Sequence, residues 1–151
     1  MTTEMQARSQ SAPNVVGETM SGEITLELID RHIRDVRAKC RELKQTLDWL
    51  KINLRLEQKK LKACTARISE LEARARLAIR AGSDLMALYV QNAIKDQRLE
   101  EDALNLGISD LQSRLEIIRF SIQRKRRQLV ELKRAREIAA RRKKRSASGG
   151  A

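Results

Sequence analysis

From Leu26 to Ala78, sixteen positions recur at alternating spacings of three and four residues, and fifteen of them are apolar or small. One set reads Leu26, Ile33, Cys40, Leu47, Leu54, Leu61, Ile68 and Ala75. The other reads Ile29, Val36, Leu43, Leu50, Glu57, Cys64, Leu71 and Ala78, so Glu57 is the single polar member. A 3.5-residue period held over eight heptads requires a helix supercoiled against a partner, because a lone helix would leave this seam in water. The first half of the chain is therefore predicted to be one long coiled-coil helix.

The hydrophobic content of 41% includes one Phe, one Tyr and one Trp, which supplies aliphatic seams but little to fill a globular core. Pro13 is the only proline, so residues 14–151 contain no obligate helix breaker. The first helix is predicted over 23–80, with Ser21 or Thr25 as its cap. The pattern halts at Ala81, Gly82, Ser83 and Asp84, where Gly suits a left-handed helix end and Ser or Asp suits the start of the next helix. A second three-four pattern follows through Ala87, Val90, Ile94, Leu104, Ile108, Leu111, Leu115, Ile118, Ile122, Leu129, Leu132 and Ala139, broken at Gln97, Glu101, Lys125 and Arg136. It predicts a helix over 84–145. Residues 1–22 read as a disordered arm and 146–151 as a flexible tail.

Two helices of similar length joined by a turn at 81–84 place the second helix antiparallel on the seam of the first. The expected fold is thus all-α, a long antiparallel two-helix coiled-coil hairpin. That register sets Glu57 near Ile108, Cys40 near Lys125 and Cys64 near Glu101. A parallel dimer of single very long helices is the structural rival, and it requires helix to continue through 81–84. Gly107 is expected to be a tolerated helical glycine. Off the main seam, Trp49, Ile52 and Leu56 form a second apolar face and a candidate assembly patch.

The net charge of +12 is unevenly placed, since Arg124 to Arg145 holds twelve Lys or Arg against Glu131 and Glu137. Such a segment attracts phosphate-bearing surfaces, either anionic lipid or nucleic acid. The candidate anion-binding residues are Arg124, Lys125, Arg126, Arg127, Arg141, Arg142, Lys143, Lys144 and Arg145. His32 stands without a second metal ligand at suitable spacing, and 81–84 lacks the glycines and Lys of a phosphate loop. No cofactor and no enzymatic activity are expected. Cys40 and Cys64 lie too far apart on one helix to bridge each other and read as core residues of a reducing compartment. With no apolar leader or span visible, a cytoplasmic location is expected.

At the turn the chain reads Ala78-Ile79-Arg80-Ala81-Gly82-Ser83-Asp84-Leu85-Met86-Ala87, then Tyr89-Val90-Gln91-Asn92-Ala93-Ile94-Lys95. This resembles the phage-shock protein A and ESCRT-III superfamily, whose members join two long antiparallel helices through a similar segment. The resemblance carries Ala78, Ile79, Gly82, Asp84, Ala87, Tyr89, Asn92, Ala93, Ile94 and Lys95. It implies a cytoplasmic scaffold, peripheral at membranes, that self-associates into a homo-oligomer or polymer and remodels or stabilises the bilayer. Two departures stand out: residues 1–22 lack the apolar face of an inserting helix, and 146–151 carry no further helical stripe. Two other readings fit the residues, a coiled-coil stalk or adaptor of a flagellar or type III secretion export ATPase, and a nucleic-acid-binding coiled coil with a basic tail.

Overall fold

The computed structural model describes residues 18–149, with side chains from residue 23 onward. It contains α1 (Glu18–Arg80) and α2 (Asp84–Gly149), and no strand occurs among the described residues. The two helices pack against each other as an antiparallel hairpin. Helix breaks at 81–83, which removes the parallel-dimer alternative.

The predicted boundaries were too tight at both ends. α1 begins at Glu18, so Ser21 and Thr25 lie inside the helix and not at its start. Only residues 1–17 of the expected arm fall outside the described residues. α2 begins at Asp84, as its predicted span does, which leaves 81–83 as the turn. Residues 146–149 continue α2, where a flexible tail was expected. No proline stops that last turn, and the hydroxyls of Ser146 and Ser148 there donate to the carbonyls of Lys143 and Arg145 at 3.2 Å each.

The reversal is built from backbone. Gly82 sits at φ 74°, the left-handed conformation in which other residues meet their own Cβ. Its N–H donates to Ile79 O at 3.1 Å, and the Ser83 N–H donates to Ala78 O at 3.0 Å. This pair of bonds is a Schellman ending, and it satisfies carbonyls that the last turn of α1 would otherwise leave open. The Ser83 carbonyl then accepts from the Ala87 N–H at 3.0 Å and opens α2 directly.

The chain divides into two compact units, one spanning 41–123 and one formed by α1 up to Cys40 with α2 from Arg124. In the first, Leu50, Cys64, Ile68 and Ala75 of α1 are buried, as are Ala87, Ile108, Leu115 and Ile122 of α2. In the second, Ile33, Val36 and Cys40 are buried with Ala139. Every one of the sixteen seam positions of α1 is buried or half-buried. The register agrees with folding about Gly82: Arg98 Nη2 meets Glu72 Oε1 at 3.1 Å, and Arg136 Nε meets Asp30 Oδ1 at 2.6 Å.

Polar interruptions are accommodated by matching neighbours across the seam. Glu57 faces Gly107, where a Cβ would lie 4.0 Å from Glu57 Oε2, one residue from the expected Ile108. Cys64 meets Gln97, one turn before the expected Glu101, and its thiol donates to Gln97 O at 3.2 Å. Glu101 instead lies 3.5 Å from Thr65 Oγ1. Burial first, then the carboxylates of Glu100 and Glu101, push the Cys64 thiol up, while Arg67 pulls the other way. Cys64 is 2% exposed and Cys40 is also buried, and both are free thiols.

Two glycines respond oppositely to alanine. Gly82→Ala has open space but a left-handed backbone, so it destabilises by about 1–2 kcal/mol in denaturant titration. Gly107→Ala meets only ordinary contact inside a helix and stabilises by up to about 1 kcal/mol. A second prediction concerns pH. The folded Cys64 thiol keeps its proton above its ordinary value of 9.0, so the unfolded chain loses that proton first. The Cys64 contribution is fully present below about pH 9 and is lost as pH rises through the folded value. Melting temperature measured from pH 8 upward falls more steeply in the parent than in Cys64→Ala.

Candidate anion-binding and assembly faces

In the unit that contains the last part of α2, the basic run is sorted by helical periodicity into a seam side and an outer side. Arg124, Arg127, Arg134, Arg141 and Arg145 fall at spacings of three, four or seven and so share one helix face. All five are exposed, and Glu131 and Ile138 complete the row. On the seam side Leu129 and Leu132 are half-buried and Ala139 is buried. Packing of this seam is what aims the guanidinium groups outward.

The remaining expected residues divide. Arg126, Arg142 and Lys144 are exposed. Lys143 is exposed as well, but its Nζ lies 3.6 Å from Glu23 Oε1 on α1. Lys125 keeps the seam position that the pattern gives it: it is half-buried, its Nζ lies 3.5 Å from Gln128 Oε1, and it does not share the outer row. Arg134 belongs to the row and was not singled out from sequence, because counting charges in a run ignores which side of the helix they occupy. Acidic neighbours gather elsewhere, with Glu23, Glu27 and Asp30 lining a shallow groove against Arg136 and Lys143.

The 41–123 unit presents two outward apolar faces, the first flanked mainly by cations and the second by charges of both signs. On α1, Trp49, Ile52 and Leu56 are all more than half exposed, so α2 does not cover the expected patch. Arg55, Lys59 and Lys62 flank it. On α2, Leu99, Leu106, Ile117 and Phe120 are exposed at 60–74%, and their separations of seven, eleven and three residues put them on one helix face. Asp96, Asp102, Asp110 and Glu116 lie beside them, with Asp110 Oδ2 held at 3.2 Å by Arg114. This second stripe was legible as a periodic row but was hidden by the stronger seam.

Among the described residues there is no cluster of three or more potential metal ligands and no buried charged side chain. No helix among them is long and apolar enough to cross a membrane. No family model, curated protein or solved structure matches this chain.

The split between outer row and seam has a direct test. Arg124→Ala changes unfolding free energy by no more than about 0.5 kcal/mol, as expected for an exposed position. Lys125→Leu places an apolar side chain on the seam and raises stability by about 1 kcal/mol. Urea denaturation of the two variants distinguishes them.

Proposed function

We propose that this protein is a non-enzymatic scaffold that associates with its own copies through the outer hairpin faces and holds anionic lipid on the arginine row of α2. The observation that carries the lipid reading is the row itself: five exposed arginines on one face with Glu131 as the single acid among them. Near an anionic leaflet each basic residue contributes roughly 1 kcal/mol, and the sum falls off within a Debye length of about 10 Å at 0.1 M salt. Guanidinium groups also suit phosphate geometry through paired N–H donors.

Self-association is supported by the two outward faces of the 41–123 unit. Each exposes an apolar stripe that water disfavours, one bordered mainly by cations and the other by carboxylates interleaved with Lys95, Arg98 and Arg114. Contact between unlike faces of neighbouring copies is heterologous and therefore suits an open polymer. The turn motif, which resembles that of the phage-shock protein A and ESCRT-III superfamily, favours the same reading, with a cytoplasmic protein peripheral at membranes.

Co-sedimentation with vesicles tests the lipid contact. Vesicles of phosphatidylcholine with phosphatidylserine are expected to bind the protein at 50 mM salt and release most of it at 500 mM. Arg127→Glu, Arg134→Glu and Arg141→Glu together are expected to weaken binding at least tenfold. Equal binding to purely zwitterionic vesicles would remove the electrostatic mechanism. Tighter binding to duplex DNA than to lipid would favour the nucleic-acid reading, and a monomer that engages a ring ATPase would favour the export stalk.

A further inference from the structure

The turn between the helices carries an apolar cap that no part of the hairpin covers. Leu85 is 82% exposed and Tyr89 74%, and Leu77, Ile79, Met86 and Leu88 are each more than half exposed. Six large apolar or aromatic side chains thus stand in water within thirteen residues. The seam beneath them is made of Ala75, Ala78 and Ala87, whose short side chains let the helices close tightly and give the larger ones no pocket to enter. None of the six belongs to the seam, so packing of the hairpin does not account for them.

We infer that this cap is a lipid-insertion site, which enters the interfacial layer of an anionic bilayer. Three features favour lipid as the occupant. First, residues 73–94 contain Arg74, Arg76 and Arg80 against the single acid Asp84, and all three arginines are exposed, so the rim of the cap is cationic where anionic headgroups would meet it. Secondly, Tyr89 combines a ring with a hydroxyl, the amphipathic form that suits the boundary between headgroup and acyl chain. Thirdly, the N–H groups of Ala81, Gly82 and Ser83 already donate to Leu77, Ile79 and Ala78 carbonyls at 2.9–3.1 Å. These three paired amides lower the cost of leaving water relative to an open loop, while the N–H groups of Asp84, Leu85 and Met86 that open α2 take their partners from the headgroup layer.

Insertion is shallow. Arg76, Arg80 and Asp84 remain in the headgroup layer while Ile79, Leu85 and Met86 reach the first carbons of the chains. This site shares a bilayer with the proposed function, but it rests on the turn and not on the arginine row, and the two contacts separate experimentally.

The test uses the full chain with Leu85→Trp as reporter, the parent protein supplying the Trp49 signal to be subtracted. Vesicles of phosphatidylcholine and phosphatidylserine carry bromine at defined acyl carbons. Insertion predicts that shallow bromines quench the Trp at least twofold more than deep ones. It also predicts that Ile79→Glu with Met86→Glu reduces quenching at least threefold while helical circular dichroism and vesicle co-sedimentation at low salt persist. Sedimentation without quenching overturns insertion and leaves the arginine row standing. Quenching that survives charge reversal at Arg127, Arg134 and Arg141 upholds insertion and counts against the row. Absence of both sedimentation and quenching overturns the two together. Absence of quenching with a change in oligomer mass on Ile79→Glu and Met86→Glu overturns insertion in favour of a protein contact.

Discussion

Burial of one aliphatic seam is the interaction on which every other feature depends. Every heptad of α1 but that of Glu57 contributes two side chains that are unfavourable in water, and α2 is the surface that removes them from it. The core this creates is narrow, with no large aromatic at its centre and few side chains as deeply buried as Leu50 or Cys64. A core so thin leaves most of each helix facing outward. Outer faces are therefore where chemistry accumulates, and the same periodicity that closes the seam decides which residues appear there.

Polar residues on the seam show how the pairing is tuned. Glu57 stays half-buried opposite Gly107 with its carboxylate 3.2 Å from Lys60 Nζ, and Cys64 finds a main-chain acceptor in Gln97. Lys125 keeps its ammonium near Gln128 while its stem lies along the seam, as long basic side chains commonly do. Ion pairs such as Asp30 with Arg136 and Glu72 with Arg98 sit at half-exposed edges, where they select register more than they add stability.

Much of this was legible in the sequence because heptad spacing and turn chemistry are local signals. The seam of α1, the reversal at Gly82 and the off-seam placement of Trp49, Ile52 and Leu56 all follow from residue type and spacing, while the exposure of that patch needed the packed structure. Helix ends were less legible: Gly22 and Ser146 look like breakers, yet neither forbids helix as proline does. The register was read to within a turn, so Cys64 faces Gln97 where Glu101 was expected. The basic run was visible as a number of charges, but its division into an outward row and an inward Lys125 needs the seam as reference. The outer stripe from Leu99 to Phe120 and the cap around Leu85 were overlooked because exposure is a property of what fails to pack, which residue spacing does not report by itself.

The backbone closure at Gly82 also orders events in time. Arg98 and Glu72 are separated by 26 residues along the chain, whereas Arg136 and Asp30 are separated by 106. Entropy lost on joining two points grows with the logarithm of the intervening length, so contacts beside the reversal form from the cheapest loops. Once the Schellman bonds hold, each further turn of helix brings its partner within reach, and pairing spreads like a zip from that point. Fraying would travel in the opposite sense, with amide protons of the outermost turns exchanging long before those next to Ala78 and Ala87.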